Sequence, residues 1–567
     1  MAEKKSLEEI LVEKKLITKD QLAQAQAEAK KLKVPLRKAL LSLGMVKDSD
    51  MIAVYEQQMK VPFVNLNSYI IDSKILSLIP EEYAKEHNVI PLFKAGDIIT
   101  VAMTDPFDVM VLDELRTMTK CIIEPVLTTE HDIKKAFSQY YGKDSSIDDV
   151  IKKIDEEEEI EQQKIRDEEE ELSPEKMRQA AEQAPIIKLV NLIISEGIKE
   201  GASDIHINPE EKMVRIRYRI DGVLREASTL PKNLQAAVIS RIKIMSDMNI
   251  AIKRSPQDGR FRIKIEGSQI DMRVSSFPSI HGENIVMRIL DPSSIMISLS
   301  DIGFYPEDLE KIYDLIRKPH GIILVTGPTG SGKTTTLYAS LRTINSIDKN
   351  IITLEDPVEY QLEIIRQAQI NPKAGLTFAS GLRSILRQDP DVVMVGEIRD
   401  RETAEIAIQA AMTGHLVFST LHTNDAPGAL TRLTDMGIEP FLISSSVIGI
   451  LAQRLVRKIC PSCKESYKPS EKVLRDLGIE DISGKTVFYK GKGCKNCKNS
   501  GYKGRVGIFE LLITNEKIRE LVLEKASADV IRKAAQEAGM KTLRQDGLRK
   551  ALDGTTSIEE VMRVTME

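Results

Sequence analysis

The stretch GPTGSGKTTT, residues 327–336, places Gly327 and Gly332 five apart and directly ahead of Lys333 and Thr334. That is the spacing of a loop that cradles nucleotide phosphates. Glycine lets backbone N–H groups close around phosphate oxygens where a side chain would block the approach, Lys333 suits the β- and γ-phosphates, and the Thr334 hydroxyl suits Mg²⁺. The apolar run GIILV (321–325) precedes the loop and TTTLYASLRTI (334–344) follows it at helical spacing, giving the required order of strand, loop and helix. The expected cradle is Gly327, Pro328, Thr329, Gly330, Ser331, Gly332, Lys333, Thr334 and Thr335.

Hydrolysis also needs acids that hold Mg²⁺ and orient water. IITLEDPVEY (351–360) is an apolar strand ending in Glu355, Asp356 and Glu359, and DPDVVMVGEIRD (389–400) is another whose tip is Gly396–Glu397. In parallel α/β sheets the carboxyl ends of strands face the ligand crevice, so both acid sets are expected to open toward the γ-phosphate. In TGHLVFSTLHTND (413–425), His415 and His422 flank a third strand and are candidate phosphate sensors. These acids count against a nucleotide-binding adaptor without turnover.

Cys460 and Cys463, then Cys494 and Cys497, form two C-x₂-C pairs separated by thirty residues. Four thiolates satisfy tetrahedral Zn²⁺ and leave no open position, so a structural zinc is expected.

The elements that must position these groups divide the chain into several domains, as its 567 residues require. ILVEKKLITKDQLAQA (10–25) and ALLSLGMVKDSDMIAV (39–54) align at an offset of 29, mapping Ile10, Leu11, Leu16, Ile17, Leu22 and Ala25 onto Ala39, Leu40, Met45, Val46, Met51 and Val54. Neither helical unit could bury its apolar stripe alone, so the two should pack face to face. A small α/β lobe follows to about residue 142, with Cys121 as a buried core residue. Residues 155–171 hold eleven acids and two bases, the pattern of a mobile linker. After 184 the period becomes two: Arg215, Arg217 and Arg219 share one face of VRIRYRI, and the runs at 259–267, 269–276 and 284–290 continue an antiparallel sheet with a basic side. A solvated sheet face is the plain explanation for most of these arginines; a phosphate sensor is the functional one.

A formal charge of −5, no tryptophan and 4% aromatics argue against a stacking platform for nucleic acid and hence against a DNA translocase. No run approaches the roughly 18 apolar residues of a membrane span. With no apolar signal-peptide core in MAEKKSLEEI, a cytoplasmic location is expected.

GPTGSGKT, ITLEDPVE, MVGEIRD and TGHLVFSTLHTND resemble, in order, the Walker A, Asp box, Walker B and His box of the secretion ATPase superfamily of type II secretion and type IV pilus systems. The resemblance, from about residue 184 to the end, implies an α/β fold with a RecA-like P-loop core preceded by a PAS-like sheet domain. It implies an ATP-hydrolysing hexamer in which Glu359 is the catalytic base and Glu397, with Thr334, supports Mg²⁺. Arg217, Arg219, Arg273 and Arg288 are implied to approach nucleotide across a domain or subunit boundary. Its work would be pilin polymerisation in type IV pilus assembly, with type II secretion as the alternative, through an inner-membrane platform partner. The cysteine module is similar to that of the assembly-type members. The N-terminal repeat resembles a cyclic-di-GMP-binding domain, but where that family uses Arg, Gly and Gly the two units have Ser6, Glu8, Lys15 and Pro35, Arg37, Gly44; only one of six is retained, which counts against dinucleotide binding. The expected divisions are 1–142 (N-terminal helical and α/β domain), 143–175 (acidic linker), 176–295 (sheet domain), 296–455 (ATPase core), 456–515 (zinc module) and 516–567 (helical C-terminus).

Overall fold

The computed structural model describes residues 61–141, 174–290, 297–470 and 487–565 continuously, together with 11, 12, 14, 16–32, 36, 39, 40, 43–46, 54, 147, 149–151 and 154. They form two compact units, Met1–Asp291 and Pro292–Glu567.

The first unit opens with the repeat. Leu11, Ile17 and Ala25 of one half and Leu40, Val46 and Val54 of the other lie in one buried cluster, with Leu16 and Met45 against it. The equivalent apolar positions of the two halves thus meet, as units with unpartnered stripes must. Of the six positions compared for dinucleotide binding, only Gly44 is among the described residues. Strand β1 (Tyr69–Ile70) and then β2 (Val89–Ala95), β3 (Ile98–Met103) and β4 (Ile122–Leu127) follow. The last three make the small sheet of the lobe, β2–β3 antiparallel and β3–β4 parallel, and Cys121 is buried in its core.

Strands β5 (Ala202–Pro209), β6 (Met213–Ile220), β7 (Val223–Pro231), β8 (Gln257–Ile265), β9 (Ser268–Ser279) and β10 (Gly282–Leu290) build the second sheet in the order β1-β8-β9-β10-β5-β6-β7. Period-two alternation holds: Val214, Ile216 and Tyr218 are buried on one face while Arg215, Arg217 and Arg219 point to the other. The helices Ala184–Lys199 and Gln235–Met245 cover the apolar face.

The expected break at 143–175 differs from what is observed. Strand β1 of the lobe pairs in parallel with β8 of the larger sheet. Ile147, Val150, Ile151 and Ile154, at helical spacing, are buried in the larger sheet's core. An apolar stripe immediately before the acidic run is thus packing surface, and the lobe and sheet form one unit. The acidic run itself lies outside the described residues, as do residues 291–296.

In the second unit, β11 (Gly321–Thr326), β12 (Ile351–Glu355), β13 (Arg366–Gln369), β14 (Val392–Val395), β15 (Leu416–Leu421), β16 (Val447–Ile459) and, beyond the β17 (Lys464–Tyr467)–β18 (Phe488–Gly491) hairpin, β19 (Tyr502–Ile513) are arranged β13-β12-β14-β15-β11-β16-β19. All neighbours are parallel except β16 and β19. Strands β11, β12, β14 and β15 are buried along their whole length, which is why they read as unbroken apolar runs rather than alternations.

Candidate nucleotide site and metal centre

The phosphate loop leaves the C-terminal end of β11, which lies inside the sheet between β15 and β16, and enters the helix Lys333–Ile344. Gly327, Gly330 and Gly332 all have positive φ, 145°, 79° and 89°. A Cβ on Gly327 would lie 2.5 Å from the Gln453 carbonyl oxygen and 2.7 Å from Ser331 Oγ, so at this position hydrogen is the only side chain that fits. Ser331 Oγ is buried without a hydrogen-bond partner among the described residues, and a phosphate oxygen is the kind of acceptor that would satisfy it. Lys333 Nζ donates to the carbonyls of Gly327 (2.7 Å) and Pro328 (3.1 Å). Burial pushes its pKa down, opposed by the charge of Glu397 and reinforced by Arg454.

The two acid strands lie side by side and end at the same edge of the sheet as β11. Gly396, which intervenes before Glu397, extends the ladder: its N–H donates to Leu354 O (2.8 Å) and its carbonyl accepts from Thr420 Oγ1 (2.7 Å). Glu397 is mostly buried, paired with Arg399, and 3.4 Å from His422 Nε2. Thr423, next in the chain, is tied to β11 by mutual hydrogen bonds with Thr326. Glu397, His422 and Lys333 therefore belong to one site.

Glu355 and His415 take other places. Glu355 is 3% exposed and accepts hydrogen bonds from Tyr338 Oη, Thr353 Oγ1 (2.5 Å) and Gln367 Nε2 (3.1 Å). It is enclosed beneath the loop that carries Glu359 instead of opening toward phosphate. His415 stands at the N-terminal end of β15, where its carbonyl accepts from Gly321 N–H and its Nδ1 bonds Ala410 O at 2.8 Å. Along seven residues of strand it is roughly 23 Å from His422. Only the histidine at the carboxyl end reaches the phosphate side, for the same reason that the acids do.

The sheet arginines form a cross-strand row. Register places Arg260 beside Arg273, Arg273 beside Arg288, Arg288 beside Asp204 and Asp204 beside Arg219. Arg288 Nε bonds the buried Asp204 carboxylate at 2.9 Å, and Arg219 Nε lies 3.6 Å from it. Arg217 binds Asn208 Oδ1 at 2.9 Å. Like charges placed directly across strands oppose sheet pairing, so three arginines in adjacent register are a costly arrangement for a sheet to keep.

The four cysteine sulfurs lie within 4.8 Å of one another. Cys460–Cys494, Cys463–Cys497 and Cys494–Cys497 Sγ separations are 3.9, 3.8 and 3.7 Å. Zn–S bonds of about 2.3 Å at tetrahedral angles require S–S separations of about 3.8 Å, so the set fits zinc. Backbone N–H groups of Gly493 and Gly501 donate to Cys463 and Cys497 sulfur, each at 3.3 Å, and hold the ligands in place.

Several residues that the sequence reading did not single out shape the site: Gln453 and Arg454 on β16, Tyr338 on the phosphate-loop helix, Arg399, and Gln367 on β13. Gln453 accepts from Thr336 Oγ1 at 2.7 Å, and Arg454 Nη2 donates to Asn424 O at 3.0 Å. Strand adjacency brings them there, and adjacency is not written in local spacing.

A glycine cradle on an interior strand, with carboxylates at the same ends of parallel strands of the same sheet, defines a P-loop ATPase core. The chain belongs to the type II/IV secretion system protein family, whose model matches residues 179–563, and it is an ATP-hydrolysing enzyme that uses nucleotide and Mg²⁺. Residues 59–147 match the MshEN domain. The chain is 44% identical over 563 residues to the type IV pilus assembly ATPase PilB of Myxococcus xanthus, covering 98% of each chain. It is 53% identical over 386 residues to type II secretion system protein E of Pseudomonas aeruginosa, covering 68% of this chain and 76% of the relative. The solved ATPase DotB of Yersinia pseudotuberculosis superposes with a TM-score of 0.50 at 25% identity, covering 67% of this chain and 93% of DotB.

Proposed function

We propose that the chain is the hexameric cytoplasmic ATPase that drives pilin polymerisation during type IV pilus assembly, working at the inner face of the membrane through a platform protein. The observation that carries this reading is the 44% identity to a pilus assembly ATPase along 98% of both chains. The higher identity to a type II secretion relative over 68% of this chain favours type II secretion as a second reading. No helix among the described residues is long and apolar enough to cross a membrane, consistent with attachment through partners. Deleting the gene should abolish surface pili and leave enzyme secretion intact; intact pili with lost secretion would establish the second reading.

In the same proposal Lys333 and Thr334 hold the phosphates and Mg²⁺, Glu359 acts as the base, Glu397 supports Mg²⁺, and zinc binds Cys460, Cys463, Cys494 and Cys497. The proposed domain limits are a lobe-and-sheet unit ending near 291 and an ATPase unit with the zinc module inserted between β16 and β19. The arginine row is proposed as an anion sensor for nucleotide in a neighbouring domain or subunit, supported by the cross-strand register that sets Arg260, Arg273 and Arg288 side by side on three adjacent strands. Arg273→Ala should then lower kcat with nucleotide affinity little changed. Mixing Arg273→Ala chains with Glu397→Ala chains should restore activity in mixed rings if the site is shared between subunits; purely additive inactivity would confine the arginine to its own chain.

A further inference from the structure

The loop bearing Glu359 is held from below by two side chains that no phosphate reaches. Tyr338 lies on the phosphate-loop helix, five residues after Lys333, and is 2% exposed. Its hydroxyl donates to Glu355 and accepts the Glu359 backbone N–H at 3.3 Å. Burial, followed by the neighbouring Glu355 carboxylate, raises the phenol's pKa, which keeps it protonated as a donor. Gln367, on β13, completes the clamp. Its Nε2 donates to Glu355 Oε1 (3.1 Å) and to Tyr360 O (2.9 Å), while its Oε1 accepts the Leu362 N–H at 2.7 Å. The Tyr338 and Tyr360 rings meet edge to face with centroids 6.3 Å apart.

The backbone from Glu359 to Leu362 is thus fixed at three points, Glu359 N–H, Tyr360 C=O and Leu362 N–H. All three lead to the buried Glu355 or to its two partners. Glu355 is the hub, which explains an acid at the end of β12 that is enclosed instead of facing the crevice. Hydrogen bonds to a carboxyl group in a buried setting are strengthened by the low local dielectric, and chains of them fix geometry.

We propose that Tyr338, with Gln367, is a positioning residue for ATP hydrolysis: it links the helix that follows Lys333 to the loop that carries Glu359, so that phosphate cradle and base are placed as one body. The inference rests on Glu359 acting as the base. The ring of Tyr338 fills core volume and the hydroxyl sets the loop, so Tyr338→Phe separates packing from positioning. Misplacing a catalytic group by about 1 Å costs up to roughly 10²-fold in rate. Tyr338→Phe in the full-length protein should therefore lower kcat by about 10-fold or more, with KM for ATP changed less than about 3-fold and the melting temperature of the ATP-free protein nearly unchanged.

The decisive measurement is a double-mutant cycle on residual turnover with Glu359→Gln. A hydroxyl that acts through Glu359 causes no further loss once the carboxylate is gone. Wild-type kcat in Tyr338→Phe, or a full additional loss in the Glu359→Gln background, overturns the positioning role. Should Tyr338→Phe fail to fold, Gln367→Met keeps the side-chain length, removes the amide and is read in the same cycle. If Glu359→Gln alone keeps full turnover, the base assignment fails; if it is inactive while both Tyr338→Phe and Gln367→Met are fully active, the positioning inference alone fails.

Discussion

Alanine at Glu359 or at Glu397 should lower ATP turnover by on the order of 10² or more while nucleotide binding persists. Phosphoryl transfer depends on placement and charge stabilisation, so an acid that orients water or supports Mg²⁺ contributes mainly to the transition state. Glu397 meets that demand geometrically: it ends the strand next to β12, is largely enclosed, and shares its site with His422, Arg399 and Lys333. Lys333→Ala should differ by losing binding as well, since an ammonium that touches the Gly327 and Pro328 carbonyls sits inside the cradle itself. Nucleotide affinity and single-turnover rates on purified variants distinguish the two classes. A Glu359→Ala, Glu397→Ala double variant with full activity would sink the assignment.

Zinc removal should have the other large effect. Structural zinc contributes on the order of 10 kcal/mol of apparent binding free energy in small modules, and that energy is folding energy. Between Cys460 and Cys497 the described structure offers little else: a two-stranded hairpin, β17–β18, and a small cluster in which Phe488 packs on Ala551, Ile558 and Val561. Elemental analysis should find one zinc per chain. Cys460→Ser or Cys494→Ser should unfold the module, seen as new protease cleavage within 460–500, while ATP affinity at the phosphate loop is retained. Metal content near zero in reduced, chelator-free protein would reject the centre.

The phosphate loop, the acid strands and the cysteine quartet were all legible in the sequence because each is a local pattern: close spacing of residue types on one strand, loop or turn. The alternation that put Arg217 and Arg219 on one face was legible for the same reason. What escaped depends on which strand lies beside which. Glu355 and Glu359 are four apart and look equivalent, yet one is a buried hub and the other sits on the loop above it, because Tyr338 and Gln367 arrive from elements that sequence does not place next to β12. Gln453 reaches the phosphate loop only because β16 is the neighbour of β11. His415 and His422 are separated by the same rule that places the acids: strands present their carboxyl ends to the ligand, and His415 stands at the other end of β15. Ile147, Val150, Ile151 and Ile154 were overlooked because an acidic run begins at the next residue, and charge obscured a short apolar stripe.

Strand β16 is the longest among the described residues, thirteen residues or roughly 40 Å. Its middle residue, Gln453, touches the phosphate loop, and its last, Ile459, precedes Cys460. Antiparallel pairing with β19 as far as Ile459–Tyr502 stiffens the whole span. The far end is anchored as well: Ile459 N–H donates to Thr555 O at 2.9 Å and Arg457 pairs with the buried Glu560 at 2.6 Å, so the strand is a beam braced at both ends between the phosphate loop and the cysteines, roughly 20 Å further on. Such a beam gives the phosphate loop and the cysteine module a common footing, because a close-packed interior passes strain along instead of absorbing it between them.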